Sequence, residues 1–201
     1  MRVAKYGALG CLLLALAACG GGTTDFEPSG GATLFKGMAV PGAQVDTATA
    51  VSVVSQYRAA NGLGPVAADP ELNRLAREQA EAMARAGKMG HAVDGTLDVR
   101  ARRAGYQYSR IAENIAAGHD SLADAFAGWK DSSGHRKNML MPQASRMGIA
   151  VAQAQNSRYK VYWAMIVAEP AREPPPVLGD AQPAAAGTTL YIGAAPPLPR
   201  P

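Results

Sequence analysis

Cysteine is nearly absent from this chain of 201 residues. Its two cysteines, Cys11 and Cys19, both lie close to the N terminus, so the rest of the chain has no disulfide to stabilise it. The sequence also has no metalloprotease helix motif, no phosphate-binding loop, no dinucleotide-binding fingerprint and no Gly-x-Ser-x-Gly nucleophile elbow. These absences argue against several common classes of enzyme.

The N terminus has the pattern of a secretory signal. Residues 1–5 include Arg2 and Lys5 and form a basic n-region, and residues 9–18 form an apolar run that is too short to span a bilayer. The run ends in Leu16-Ala17-Ala18-Cys19-Gly20, which resembles the lipobox of bacterial lipoproteins. The resemblance implies cleavage before Cys19 and diacylation of Cys19, and the alternative is an ordinary signal with an incidental cysteine. Gly20 is not a retention signal of the Asp type, so we expect an outer-membrane address if the cell has one.

Net charge is low once the signal is removed. Loss of residues 1–18 takes away Arg2 and Lys5, so the formal charge falls from +4 to +2. So mild a charge argues against a nucleic-acid partner. We expect a monomer that faces outside the cytoplasm and meets the membrane through Cys19.

Proline and glycine divide the chain into four parts. Residues 1–18 are the predicted signal peptide, 19–46 a flexible tether, 47–169 the folded domain and 170–201 a Pro-rich disordered tail. In the domain, apolar spacing and end signals predict helices over 47–61, 70–86, 97–104 and 122–131, and a brief turn or helix over 135–140. Two strands, 146–155 and 159–168, are predicted to form a hairpin with apolar residues on both faces. Tyr106 to Ser109 is expected to be extended.

Several short motifs follow one another in a specific order. They are Tyr57 to Leu63, Asp69-Pro70-Glu71-Leu72, Met89-Gly90-His91, Ala112-Glu113-Asn114-Ile115, Trp129, Ser133 to Leu140 and Met147 to Val151. In this order they resemble the bacterial branch of the CAP superfamily, which groups cysteine-rich secretory proteins, antigen 5 and pathogenesis-related-one proteins and is also called the SCP domain. The resemblance implies an α+β fold, an α-β-α sandwich with a central antiparallel sheet.

The same resemblance implies a pocket built by His91, Glu113 and His135. Many eukaryotic members place a second glutamate three residues after the position of Trp129, and this chain has Ser132 there. We include Ser132 in the predicted pocket. Asp131, one residue away, is a candidate to replace the missing carboxylate. The resemblance therefore does not support a mechanism that needs two carboxylates.

The chemistry of these side chains leaves three interpretations open. Two imidazoles and a carboxylate suit zinc or another divalent cation, with a position left for water. The same groups could instead brace loops through hydrogen bonds. A nucleophilic serine, Ser132 or Ser133, beside His135 is the third.

Two classes of function follow from the resemblance. The first is a membrane-anchored binding protein whose pocket takes a small hydrophobic, lipid-like ligand or an envelope component. The second is a zinc-dependent hydrolase, a peptidase or esterase, that uses His91, Glu113 and His135. No catalytic residue is assigned for the first, which we favour because the carboxylate pair is incomplete.

Overall fold

The computed structural model describes residues 29–172. Its helices are α1 Ser29–Leu34, α2 Thr47–Ala59, α3 Pro70–Ala86, α4 Leu97–Arg103, α5 Leu122–Asp131 and α6 Ser133–Met139. Its strands are β1 Ala67–Ala68, β2 Tyr108–Ala117, β3 Arg146–Ala154 and β4 Lys160–Pro170. The predicted helices and hairpin strands are confirmed to within about two residues at each end. The predicted signal, Cys19 and nearly all of the predicted tail lie outside the described range.

The four strands form one sheet in the order β1-β3-β4-β2. Strand β4 pairs antiparallel with both β2 and β3, which confirms the central antiparallel sheet and the hairpin. Two features were not predicted. Extended structure continues from Tyr108 through Ala117, so Glu113 lies within a strand, and β1 adds a short parallel pairing to β3.

Helices cover both faces of the sheet. On β4, Val161, Trp163, Met165 and Val167 pack with residues of α2, α5 and α6, whereas Tyr162, Ala164 and Ile166 pack with residues of α3 and α4. This alternation follows from the period of two in a strand. It confirms the predicted α-β-α sandwich, in which β4 is buried on both sides.

Helix α3 begins and ends at the predicted signals. The side chain of Asp69 accepts hydrogen bonds from the backbone N–H groups of Glu71 and Leu72, and Gly87 ends the helix with a φ of 58°. The first turn of α3 lies directly on Gly148 of β3. A Cβ atom added at Gly148 would lie 2.1 Å from the backbone carbon of Leu72, so only glycine permits this contact.

A buried arginine connects α2 to the segment between α6 and β3. Arg58 is fully buried and donates hydrogen bonds to the carbonyl groups of Gly64, Met139, Met141 and Ala144 at 2.8 to 3.0 Å. Burial lowers the pKa of its guanidinium group. The four carbonyl groups compensate for the lost hydration, and the connection fixes the C-terminal end of α6.

The packed domain begins earlier than predicted. The sequence predicts a flexible tether through residue 46, but Met38 is 1% exposed and lies in the core. The backbone N–H groups of Met38 and Ala39 donate to the main-chain carbonyl and the side chain of Asp120, at 2.6 and 3.0 Å. The Gly- and Thr-rich composition did not reveal that Met38 is buried in the core and that Leu34, Ala39, Ala43 and Val45 pack against the same cluster.

None of the helices within residues 29–172 is both long enough and apolar enough to cross a membrane.

Replacement of Met38 tests this boundary. Met38→Ala is expected to lower the free energy of unfolding by about 2 to 3 kcal/mol, because a buried side chain is replaced by a cavity. Val40→Ala is the matched control, since Val40 is 63% exposed, and it should cost less than about 0.5 kcal/mol. Chemical denaturation of both variants measures the difference. Equal effects would show that residues 36–46 do not pack on the domain in solution.

Candidate functional site

The carboxylate of Glu113 is the centre of the candidate site. Glu113 lies on β2, at the edge of the sheet, and its side chain is 2% exposed. Its Oε1 atom is 2.9 Å from Nδ1 of His91, and its Oε2 atom accepts a hydrogen bond of 2.5 Å from Nη2 of Arg100. Both carboxylate oxygens therefore have partners, one on the exposed side and one on the buried side.

Arg100 is a site residue that was not predicted from the sequence. It lies on α4, its side chain is 1% exposed, and its Nε atom also donates to the carbonyl of Gly95 at 3.3 Å. Arg100 provides the positive charge that a buried carboxylate requires. A signal was present: Arg100 is spaced three residues from Leu97 and four from Ala104, so it falls on the apolar face of the helix.

His91 faces solvent while one of its nitrogens is fixed. Its side chain is 58% exposed. Because Glu113 already accepts a bond from Arg100, the carboxylate acts as an acceptor and Nδ1 of His91 carries the donated proton. Nε2 is then the ring nitrogen left free for a ligand. The loop that carries His91 is held by Gln79 of α3, whose Nε2 atom donates to the carbonyl of Gly90 at 2.7 Å.

His135 reaches the site from the opposite face of the sheet. It lies on α6, and Asn114, which follows Glu113 on β2, donates from Nδ2 to the carbonyl of His135 at 3.0 Å. Asn138 fixes the same helix by donating to the carbonyl of Glu113 at 3.1 Å and to Oδ1 of Asn114 at 3.0 Å. Partial burial, together with the nearby charge of His91, lowers the pKa of His135. His91 and His135 thus both contact neighbouring residues of β2, the edge strand of the sheet.

Ser132 and its neighbours are not drawn into this network. Ser132 is half-buried at the junction of α5 and α6, and within residues 29–172 its hydroxyl group has no hydrogen bond to Glu113 or to either imidazole. Asp131 and Ser133 are exposed. Trp129 is a core residue, buried, with its Nε1 atom donating to the carbonyl of Ile115 at 3.2 Å. The structure therefore gives no support to a nucleophilic serine.

A metal ion at this site would have to be held by the imidazoles of His91 and His135. Among the described residues, no group of three His, Cys, Asp or Glu side chains is arranged to hold a metal. The two imidazoles remain as donors, and Glu113 binds the opposite nitrogen of His91, as carboxylates do behind metal-bound histidines. Glu113 fits the role of orienting His91 better than the role of direct ligand, because Oε1 is already bonded to His91 and Oε2 to Arg100.

A model of the CAP family, described as the cysteine-rich secretory protein family, matches residues 51–167. The chain belongs to this family. The CAP match spans more than half of the chain and includes every residue of the candidate site.

Individual CAP relatives are more distant. The uncharacterized protein YkwD of Bacillus subtilis is 27% identical over 106 residues, which are 52% of this chain and 41% of that protein. An extracellular SCP-domain protein of Bacillus anthracis is 25% identical with a TM-score of 0.53, over 60% of this chain and 39% of the other. An outer surface protein of Borrelia burgdorferi is 16% identical with a TM-score of 0.56, over 64% and 98%. The chain thus spans less than half the length of its two bacillar relatives.

The pairing of Arg100 with Glu113 in this CAP domain can be tested by stability. Arg100→Met is expected to lower the free energy of unfolding by about 3 to 5 kcal/mol, because it leaves a buried carboxylate without its cation. The double variant Arg100→Met with Glu113→Gln should recover part of this loss. Arg102→Met, on the same helix but 76% exposed, is the control and should cost less than about 1 kcal/mol. Strict additivity of the two site substitutions in urea denaturation would argue against the pairing.

Proposed function

We propose that this CAP protein is a lipid-anchored, extracytoplasmic binding module whose His91 and His135 bind a divalent cation, with zinc as the first candidate. The observation that carries the proposal is the position of Glu113 between Arg100 and His91. This arrangement holds Nδ1 of His91 against the carboxylate and leaves the other ring nitrogen of an exposed imidazole available to a ligand. A bound zinc ion would supply Lewis acidity and a site for a ligand oxygen or nitrogen.

The same observation favours binding over hydrolysis. A general base must accept a proton from water, but both oxygens of Glu113 are engaged and its side chain is 2% exposed. It also disfavours a purely bracing role for His91. A bracing side chain is normally buried with its partners, whereas that of His91 is 58% exposed.

The address outside the cytoplasm rests on the N-terminal sequence and on the relatives. Leu16 to Cys19 resembles a lipobox, the B. anthracis relative is described as extracellular, and the B. burgdorferi relative as an outer surface protein. A protein tethered there through Cys19 meets lipids and envelope components. We therefore propose an envelope component, of lipid-like character, as the ligand that the domain binds.

Zinc titration tests the histidine pair. Isothermal titration calorimetry of the metal-free protein near neutral pH is expected to show one zinc ion bound. Binding should disappear in the double variant His91→Ala with His135→Ala. Glu113→Gln should weaken binding by about 10- to 100-fold, because His91 loses the partner that orients it. His119→Ala is the control, since His119 is the third histidine of the chain and lies outside the site.

Two results would contradict the metal proposal. One is a wild-type protein that takes up no zinc. The other is binding that survives removal of both histidines. Hydrolysis of a panel of peptides and esters, with and without zinc, provides the separate test of an enzyme. Turnover that depends on zinc and is abolished by Glu113→Gln would favour the hydrolase instead.

Substitution of Cys19 tests the anchor. Cys19→Ser is expected to release the protein from the membrane fraction or to leave the precursor uncleaved, because the serine hydroxyl does not carry the thioether-linked lipid. Cys11→Ser is the control, since Cys11 lies within the apolar run and leaves with the predicted signal. Fractionation and the mass of the processed chain are the measurements. Membrane association and processing that are unchanged in Cys19→Ser would exclude the lipoprotein anchor.

A further inference from the structure

The outer edge of β3 is only partly covered. Its inner edge pairs with β4 along the whole strand, but on the outer edge β1 reaches only Arg146 and Met147. Beyond Met147, the side chain of Asn73 pairs with the outer edge of β3, because its Oδ1 atom accepts a hydrogen bond of 2.8 Å from the backbone N–H of Ile149. This bond shows that the main-chain groups of Ile149 point outward.

The next outward residues have no such partner. Main-chain groups alternate between the two edges of a strand, so Val151 and Gln153 present their N–H and C=O groups to the same side as Ile149. Within residues 29–172, no side chain or backbone atom outside the strand pairs with the main-chain groups of Val151 or Gln153. An unpaired edge of this kind is a template for another strand.

This open edge is the floor of a groove. One wall is α3, which contributes Asn73, Arg77 and Glu81, and the other wall is the segment Gly42 to Val45. The groove has a volume of about 370 Å³. The second wall is held in place by the side chain of Gln153, whose Nε2 atom donates to the carbonyl of Ala43 at 3.0 Å. The main chain of Gln153 is left available by this contact.

The groove contains one cation that has no ion pair among the described residues. Arg77 is exposed and has no carboxylate partner among the described residues, whereas Glu81 is paired with Arg85 at 3.5 Å. The cation of Arg77 is therefore free to form a charge-assisted, two-pronged contact with a carboxylate. Nδ2 of Asn73 is a further donor in the same wall, because only its Oδ1 atom is used by Ile149.

We propose that the outer edge of β3 binds an extended acidic peptide segment of a partner protein as an added strand. The peptide backbone bonds to the main-chain groups of Val151 and Gln153, and an Asp or Glu side chain bonds to Arg77. Main-chain pairing supplies affinity, and the carboxylate fixes the register, as in other cases of strand addition. This surface is separate from the histidine site, so the proposal does not depend on zinc.

Hydrogen exchange measured by NMR tests this proposal. The probe is a capped seven-residue peptide of alternating threonine and valine with a central glutamate. At saturating peptide, exchange of the amides of Val151 and Gln153 is expected to slow at least tenfold. The amide of Ile149, already bonded to Asn73, should change much less. A peptide of the same sequence with N-methylated backbone nitrogens should not protect these amides.

Charge reversal provides the specificity control. Arg77→Glu is expected to weaken binding of the acidic peptide at least tenfold and to improve binding of the same peptide with a central lysine. Arg74→Glu changes the net charge equally on the same helix, but Arg74 is paired with Glu71 and Glu78 and lies outside the groove. The Arg74→Glu variant should bind the acidic peptide with an affinity within about threefold of that of the wild type.

Three results would overturn the proposal. The first is the absence of protection at Val151 and Gln153. The second is equal protection by the acidic and basic peptides, since the groove would then not select charge. The third is protection that rises with protein concentration without peptide and accompanies a dimer in sedimentation, because the occupant would then be a second copy of this chain.

Discussion

A single buried carboxylate organises one edge of the sheet. The side chain of Glu113 cannot be buried without a counter-charge, and its main-chain carbonyl cannot be left unpaired at a covered edge. Arg100 meets the first need and thereby positions α4, and Asn138 meets the second and thereby positions α6. His91 then adds to the exposed side of the carboxylate. Contacts with Glu113 thus position α4 and α6, which lie on opposite faces of the sheet, and the loop that carries His91.

Much of the architecture could be predicted because it follows from local chemistry. The capping residues of α3 and the capping box of α5, formed by Ser121 and Asp124, set helix ends within a few residues of their signals. Successive residues of β4 are apolar on both faces of the strand, and this pattern correctly predicted that both faces are buried. Strand β2 was missed because Arg110 to Asn114 interleave charged and apolar side chains whose partners come from distant elements. The polar side chains of β2 find their hydrogen-bond partners only when the helices have packed on both faces of the sheet.

The site shows the same division. The order of motifs pointed to His91, Glu113 and His135, but the partners that give these residues their roles did not stand out. Arg100 and Gln79 share one property with Arg58 near α6: each is a long polar residue at a position where helical spacing calls for an apolar one. All three are buried. In this fold such positions hold side chains that tie loops and carbonyl groups to the helices, so a polar residue on an apolar stripe marks a connection.

The contact of α3 with Gly148 has a mechanical consequence for the histidines. Backbone against backbone is the least compressible contact that a helix and a strand can make, so the first turn of α3 acts as a pivot. Gln79, which holds the loop of His91, lies six residues or about 9 Å along the helix from Asn73. A tilt of α3 about this pivot would swing the loop while α6 and His135 stayed in place. The position of the His91 loop therefore depends in part on a glycine of a strand that contains neither histidine.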